Sequence, residues 1–111
     1  MTDIYKTALE MYKDKDKDKK YAGKFDCSLF VQYCYEKNGK NNVPRSSSEM
    51  WKNGLPGDGS AGDIACWNGH VGICDGSGNV IHCYHGNRVI VAHPISQINE
   101  WNGPLKGYRR F

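Results

Sequence analysis

The pattern of hydrophobic and polar positions along the chain has two periods, a helical one in the first half and a strand-like one in the second. Over residues 3–12, hydrophobic side chains recur every three to four positions, which predicts a short amphipathic helix. From residue 63 onward the hydrophobic runs are short and are separated by Gly, Asn and Asp, which favours strands joined by tight turns. We predict strands over residues 64–67, 70–74, 80–84, 89–92 and 108–111.

A second helix is predicted to begin at Cys27. Asp26 is a favourable N-cap residue, Phe25 and Phe30 have the spacing of a hydrophobic staple, and Asn38-Gly39 supplies the end of the helix. A cysteine at a helix start is close to unpaired backbone N–H groups and to the positive end of the helix dipole, and both favour the thiolate. Cys27 is therefore a candidate nucleophile, although most cysteines in such a position are small buried residues.

A third, shorter helix is predicted from the capping-box spacing of Ser46 and Glu49, with Asn53-Gly54 closing it. Residues 54–62 are rich in Gly, Pro and Ser and are expected to form a loop. The alternating Asp/Lys run over residues 14–20 is expected to be a solvated connector without function.

These elements predict a single α+β domain over residues 1–111, in which the N-terminal helices pack on one face of an antiparallel β-sheet. With 111 residues the chain is long enough for one core but not for two. We divide it into an N-terminal helix with its charged connector (1–20), a segment with the nucleophile helix and the short helix (21–53), and a β-meander (62–111).

The composition excludes several classes of function. A net charge of +3 without a basic helix gives no indication of nucleic-acid binding. No hydrophobic stretch approaches the length of a transmembrane helix, so we expect no membrane insertion. The first residues contain no apolar signal core, so we expect a chain made in the cytoplasm or an excerpt of a longer exported protein. We expect no cofactor, and a monomer.

The five cysteines do not suggest a disulfide framework, because their number is odd and several lie at helix or strand positions. Cys34 and Cys83 are expected to pack in the core, and Cys66 and Cys74 to be strand residues. Cys27 is then the one cysteine in an activating context.

Two histidines are predicted to share a face of the hairpin that turns between Asp75 and Asn79. If these two residues pair across a three-residue loop, His70 and His82 become diagonal neighbours about 7–8 Å apart at the backbone. A loop of two or four residues would put them on opposite faces. In the first register His70 can accept a proton from Cys27 while His82 orients His70, which is the arrangement of nucleophile, base and orienting residue.

A zinc site is the first alternative, because zinc accepts thiolate and imidazole ligands. The candidate ligands are Cys66, His70, Cys74, His82, Cys83 and His85. The chain has no Cys-x-x-Cys pair, and neighbours such as His82 and Cys83 point to opposite faces of a strand. We therefore expect no metal site.

Five short motifs, in this order, resemble those of the NlpC/P60 family of cysteine peptidases. They are Phe25-Asp26-Cys27-Ser28 opening a helix, Pro44-Arg45-Ser46, Gly62-Asp63-Ile64, His70-Val71-Gly72-Ile73 and Ile81-His82. The resemblance covers residues 21–85 and implies a papain-like α+β fold with the nucleophile at the start of a helix. It also implies a hydrolase of peptidoglycan stem peptides, commonly at bonds between D-glutamate and a diamino acid.

Carried over by position, the resemblance assigns Cys27 as nucleophile, His70 as general base and then acid, and His82 as the orienting residue. It implies no metal or other cofactor. The substrate-binding candidates are Tyr21, Ser28 and Arg45. A structural hydrogen-bonding role is the alternative for Arg45.

Other functions remain open on the same fold. An N-acetylmuramoyl-L-alanine amidase or an acyltransferase would use the same three residues, whereas a non-catalytic cell-wall-binding module would have no need of all three. Without a signal sequence, the chain suits a phage lysin, an interbacterial effector or a domain of a larger exported protein. An effector would have an immunity protein as its partner.

Overall fold

The computed structural model describes residues 2–14, 25–84 and 89–111, so most of the charged run and Tyr21 lie outside the described residues. The helices in these ranges are α1 (Thr2–Lys13), α2 (Cys27–Glu36), α3 (Ser47–Asn53) and α4 (Ile95–Asn102). The strands are β1 (Leu55–Pro56), β2 (Ile64–Trp67), β3 (His70–Cys74), β4 (Asn79–Tyr84), β5 (Val89–Pro94) and β6 (Gly107–Arg110). The predicted α+β class is confirmed.

The start of α2 lies where the sequence predicts it, because Asp26 caps the helix. Oδ1 of Asp26 accepts a hydrogen bond from the backbone N–H of Leu29 at 2.8 Å, which satisfies one of the unpaired donors of the first turn. The rings of Phe25 and Phe30 meet edge to face with centroids 6.1 Å apart, so the predicted staple is present. Sγ of Cys83 donates to the backbone carbonyl of Phe25 at 3.5 Å, which ties the start of α2 to β4.

The start of α3 is also confirmed. Oγ of Ser46 accepts a hydrogen bond from the backbone N–H of Glu49 at 3.3 Å. At the other end, Gly54 donates to the carbonyl of Met50, whose side chain is fully buried. The helix therefore begins and ends at the predicted signals.

The six strands form one antiparallel sheet in the order β1-β6-β2-β3-β4-β5. Strands β2 to β5 are the predicted meander, but β6 returns to the far side of β2, where Tyr108 lies opposite Ala65. Beyond it, Leu55 of β1 lies opposite Arg110. The loop predicted over 54–62 is therefore wrong for Leu55 and Pro56, because pairing with the distant β6 extends them and their own sequence carries no strand pattern.

The sheet has a hydrophobic core on each face: the N-terminal helices cover one face, as predicted, and a helix that was not predicted covers the other. On the first face α1 and α2 pack on the strands, with Phe30 in one cluster with Val71 and Ile81. On the second face Ile98 of α4 packs with Trp67 and other side chains of β2, β3 and β4.

The helix α4 interrupts the meander predicted over residues 62–111. This helix was not predicted. Its inward positions, Ile95 and Ile98, have helical spacing but span a single turn. Its N-cap residue is Pro94, which makes no side-chain capping bond, so the usual start signal is missing. Packing on the sheet therefore stabilises this helix more than its local sequence does.

Candidate active site

The hairpin between β3 and β4 has the predicted register. Ile73 lies opposite Ile81, which corresponds to a three-residue loop. As a result Nε2 of His70 and Nδ1 of His82 are 2.8 Å apart, and the two side chains are only 2% and 0% exposed. Gly72 makes room for this pair, since a Cβ at that position would lie 2.9 Å from the Cβ of His82.

Cys27 is the first residue of α2 and lies half-buried beside β3. The backbone N–H groups of Val71, Ser28 and Cys27 itself face its sulfur. Val71 follows His70 directly in β3, so the thiol lies at the part of the strand that carries the imidazole. Nε2 of His70 contacts His82, and Nδ1 of His70 is buried.

The pKa of the Cys27 thiol is raised above its ordinary value, contrary to the expectation from its helix-start position. Burial is the largest cause, because it removes the thiolate from water, and the negative charge of Asp26 acts in the same direction. The backbone N–H groups that face the sulfur lower the pKa but do not outweigh burial. Cys27 is therefore a protonated thiol near neutral pH.

His82 is held in its neutral form. Burial lowers its pKa to about 3, and the neighbouring His70 and His93 act in the same direction because a second positive charge there would be repelled. At physiological pH the ring of His82 therefore has one nitrogen that donates and one that accepts. It can fix the tautomer of His70 by hydrogen bonding but not by carrying a charge.

A third histidine, which was not predicted to belong to the site, contacts His82. Nε2 of His82 and Nδ1 of His93 are 2.9 Å apart. His93 lies in β5, two positions beyond Val91, which is the residue opposite His82 in the β4–β5 register. The strand was predicted to end at residue 92. Extended by one residue, the alternation of side chains along the strand places His93 on the same face of the sheet as His82.

Ser28 and Arg45 form a hydrogen-bonded cluster with the N-cap residue Asp26. One guanidinium nitrogen of Arg45 donates to Oδ2 of Asp26 at 2.9 Å, and the other donates to Oγ of Ser28 at 2.7 Å. Oγ of Ser28 in turn donates to Asp26 at 3.1 Å. Burial opposes ionisation of Asp26, but the hydrogen bonds from Arg45, Leu29 and Ser28 outweigh it and hold the pKa of the carboxyl below its ordinary value.

These contacts give Arg45 a structural role at the start of the nucleophile helix. Substrate binding by Ser28 and Arg45 stays a prediction, and Tyr21 lies outside the described residues.

The strands separate the cysteines and histidines of the alternative metal site. Cys66 and Cys83 pack in the core beneath α1 and α2, whereas Cys74 belongs to the core beneath α4, and His85 lies outside the described residues. Within the described ranges, no three His, Cys, Asp or Glu side chains are grouped so that they could hold a metal ion. All five cysteines are free thiols. No helix in the same ranges is long and apolar enough to cross a membrane.

Two proteins are similar in sequence to part of this chain. A probable endopeptidase of Corynebacterium glutamicum is 38% identical over 77 residues, which are 64% of this chain and 36% of that protein. A gamma-DL-glutamyl hydrolase of Bacillus subtilis is 29% identical over 97 residues, which are 78% of this chain and 23% of that protein. The chain thus spans about a third or less of the length of these relatives.

Two solved structures have the same fold. An NlpC/P60 family protein of Bacillus cereus superposes with a TM-score of 0.67 at 28% identity, over 78% of this chain and 32% of that one. The NlpC/p60 domain of the peptidoglycan hydrolase SagA superposes with a TM-score of 0.70 over 98% of this chain and 97% of that one. Its identity is 21%, so this likeness bears on the fold alone. The predicted papain-like α+β fold is confirmed.

The sequence profile of the NlpC/P60 family matches residues 11–109, nearly the whole chain. Within that span Cys27, at a helix start, lies beside the backbone of β3, and His70 of that strand is hydrogen-bonded to a second histidine, His82. The chain belongs to the NlpC/P60 family of cysteine peptidases.

Proposed function

We propose that this chain is the catalytic domain of a cell-wall hydrolase that cleaves peptide bonds in peptidoglycan stem peptides by a Cys-His-His mechanism. The observation that carries the proposal is the 2.8 Å contact between Nε2 of His70 and Nδ1 of His82, next to the backbone amide that faces the Cys27 sulfur. A module that only binds the wall has no need of a candidate nucleophile, base and orienting residue together.

In the acylation step, Nδ1 of His70 takes the proton of the Cys27 thiol while the sulfur bonds to the carbonyl carbon of the scissile peptide. The backbone N–H groups at the start of α2, including that of Cys27, donate to the developing oxyanion. His70 then gives the proton to the leaving amine, the C–N bond breaks, and a thioester of Cys27 remains.

In the deacylation step, His70 takes a proton from water, and the oxygen of that water attacks the thioester carbon. The C–S bond breaks, the sulfur takes the proton back, and the carboxylic acid product leaves. His82 acts through both steps as a neutral acceptor for Nε2–H of His70, which keeps Nδ1 of His70 able to accept and donate the transferred proton.

For the bond that is cut, we propose the one between γ-D-glutamate and the diamino acid of the stem peptide. The name of the Bacillus subtilis relative, gamma-DL-glutamyl hydrolase, supports a γ-glutamyl linkage. The net charge of +3 favours an anionic polymer as substrate, and Ser28 and Arg45 lie next to the nucleophile where a substrate group could bind.

The site of action that follows from this substrate is the cell wall. We propose that the protein is made in the cytoplasm and reaches the wall by lysis, by a secretion machine or as part of a larger exported protein. The stem peptide is its partner in each case.

The test is mass spectrometry of the products released from purified peptidoglycan by the wild type, by Cys27→Ala and by the matched control Cys34→Ser. New amine and carboxyl ends at the γ-D-glutamyl bond, formed by the wild type and by the folded control but not by Cys27→Ala, are expected. Release of intact stem peptides from muramic acid would instead identify an amidase. No release from any wall type by the folded wild type would refute the hydrolase.

A further inference from the structure

The relay of imidazoles behind the nucleophile has a third member. Nε2 of His82 lies 2.9 Å from Nδ1 of His93, with the ring planes 63° apart and the centroids 5.2 Å apart. His82 thus has both ring nitrogens in contact with another imidazole, His70 on one side and His93 on the other. In a neutral imidazole one nitrogen donates and the other accepts, so the two contacts of His82 are not independent.

We infer that His93 is a positioning residue, which sets the tautomer of His82 and through it the tautomer of His70. This inference rests on the proposed function, because it concerns the base of that reaction. His70 can take the thiol proton only when Nδ1 carries a lone pair, so its own hydrogen must be on Nε2. Nε2–H of His70 then donates to Nδ1 of His82, whose hydrogen must be on Nε2 and donate to Nδ1 of His93. The productive relay therefore requires an acceptor at Nδ1 of His93.

Protonation of His93 imposes the opposite arrangement. An imidazolium donates from both nitrogens, so His82 must accept at Nε2 and carry its hydrogen on Nδ1. His70 must then accept at Nε2 and carry its hydrogen on Nδ1. In this state the three rings together hold one proton more than before, and each shared proton has moved to the other nitrogen of its hydrogen bond. Because Nδ1 of His70 now carries a hydrogen, His70 can no longer take the proton of Cys27. His93 in its charged form switches the base off.

Of the three histidines, His93 is the most exposed. His82 is fully buried, whereas His93 is half-buried. The ring of Trp101, from α4, meets that of His93 at 89° with the centroids 4.9 Å apart, and Tyr84 of β4 is 6.4 Å away. Trp101 is within the range of a cation–π contact to a charged imidazole at this position, and Tyr84 lies just beyond it.

The titratable groups that face His93 among the described residues are His82 and Tyr84, both from β4, whereas α4 contributes the indole of Trp101. None of the ion pairs within the described ranges includes His93. A change in the charge of His93 is therefore transmitted to the nucleophile through His82.

The test uses iodoacetamide, a small neutral probe that alkylates the thiolate of Cys27 and needs no peptide substrate. Rates are measured on the intact protein by mass spectrometry from about pH 5 to about pH 8, the range in which imidazole titrates. The other four cysteines are at most 2% exposed, and Cys27→Ala gives the background.

Two variants of His93 separate its roles. His93→Phe keeps a ring against Trp101 but removes the acceptor, so alkylation near pH 7 should slow by roughly five- to ten-fold, the factor for one lost hydrogen bond. His93→Asn keeps an oxygen acceptor near the position of Nδ1 that cannot be charged. It should react as fast as the wild type near neutral pH and keep more of that reactivity than the wild type on acidification.

Equal rates and equal pH profiles for the wild type and His93→Asn would overturn the inference, as would an unchanged rate in folded His93→Phe. If His93→Phe does not fold, the pH profile of His93→Asn alone decides. Because the probe requires no peptidoglycan, the expected alkylation pattern without any cleavage of stem peptides would refute the proposed function and keep the inference. Cleavage of stem peptides by the wild type, with the same alkylation rates and pH profiles in the wild type and the His93 variants, would support the proposed function and refute the inference.

Discussion

Nε2 of His70 and Nδ1 of His82 face each other at 2.8 Å, and both rings are buried in the sheet beneath α4. The contact joins two strands through their side chains at the point where α2 brings the nucleophile. It also fixes the tautomer relation of the two rings, because one of the two facing nitrogens must donate and the other accept.

Replacement of the nucleophile separates catalysis from stability. Cys27→Ala should abolish hydrolysis and leave the unfolding temperature almost unchanged, because the side chain is only half-buried. Cys34→Ser should retain activity in the folded fraction but lower the free energy of unfolding by about 1–3 kcal/mol, since a hydroxyl replaces a thiol at a fully buried position. Thermal unfolding and product analysis on the same samples check both. A folded Cys34→Ser without activity beside an active Cys27→Ala would show that the nucleophile is misassigned.

The orienting residue can be replaced by an amide that keeps its acceptor. In His82→Asn the side-chain oxygen can take the place of Nδ1 and accept from Nε2–H of His70, so we expect partial activity, roughly ten- to hundred-fold below the wild type. His82→Leu removes the acceptor and should lose considerably more, about 10⁴-fold, because the tautomer of His70 is then not held. The measurement is kcat on a defined stem peptide, with circular dichroism as the folding control. Equal kcat values for the two variants would contradict the orienting role.

Burial of His82 makes the stability of the fold dependent on pH. Its pKa falls from an ordinary value of 6.5 to about 3 in the folded state, so between these values the unfolded chain binds a proton that the folded chain does not. The free energy of unfolding must therefore rise with pH in this window, by about 1.4 kcal/mol per unit from this group, and fall on acidification. Urea unfolding at several pH values from about 4 to about 7 measures the slope.

His82→Asn is the matched control for that experiment, because it removes the titrating group and keeps a polar side chain. The slope of the variant should be smaller than that of the wild type by the contribution of one proton. Parallel slopes for the two proteins would mean that His82 takes up a proton in the folded state.

Gly72 is required opposite His82. A Cβ there would meet the side chain of Val80 and lie 2.9 Å from the Cβ of His82, so Gly72→Ala must displace one of them. We expect a loss of about 1–3 kcal/mol in stability together with reduced kcat, because the displaced ring no longer aligns with His70. The double variant Gly72→Ala/Val80→Ala opens space and should recover part of both. Additive losses in the double variant, measured by urea unfolding and kcat, would exclude this steric cause.

The sequence by itself determined where several helices and strands begin, and the family. Asp26 and Ser46 specify helix starts because a side-chain oxygen satisfies backbone donors a few residues away, and this interaction needs no distant partner. The face shared by His70 and His82 follows from strand alternation and a three-residue loop, both of which are short-range. The order of the motifs around Cys27 was sufficient to name the family.

Only the tertiary structure decided the features that depend on residues far apart in the chain. β1 is extended by pairing with β6, α4 is stabilised by packing of Ile98 on the second face of the sheet, and His93 reaches His82 through the β4–β5 register. The charge state of Cys27 is the same kind of property. Its position at a helix start favours the thiolate. Burial raises the pKa of the thiol, because the loss of water around the charge outweighs the local dipole. The sequence alone does not give this burial.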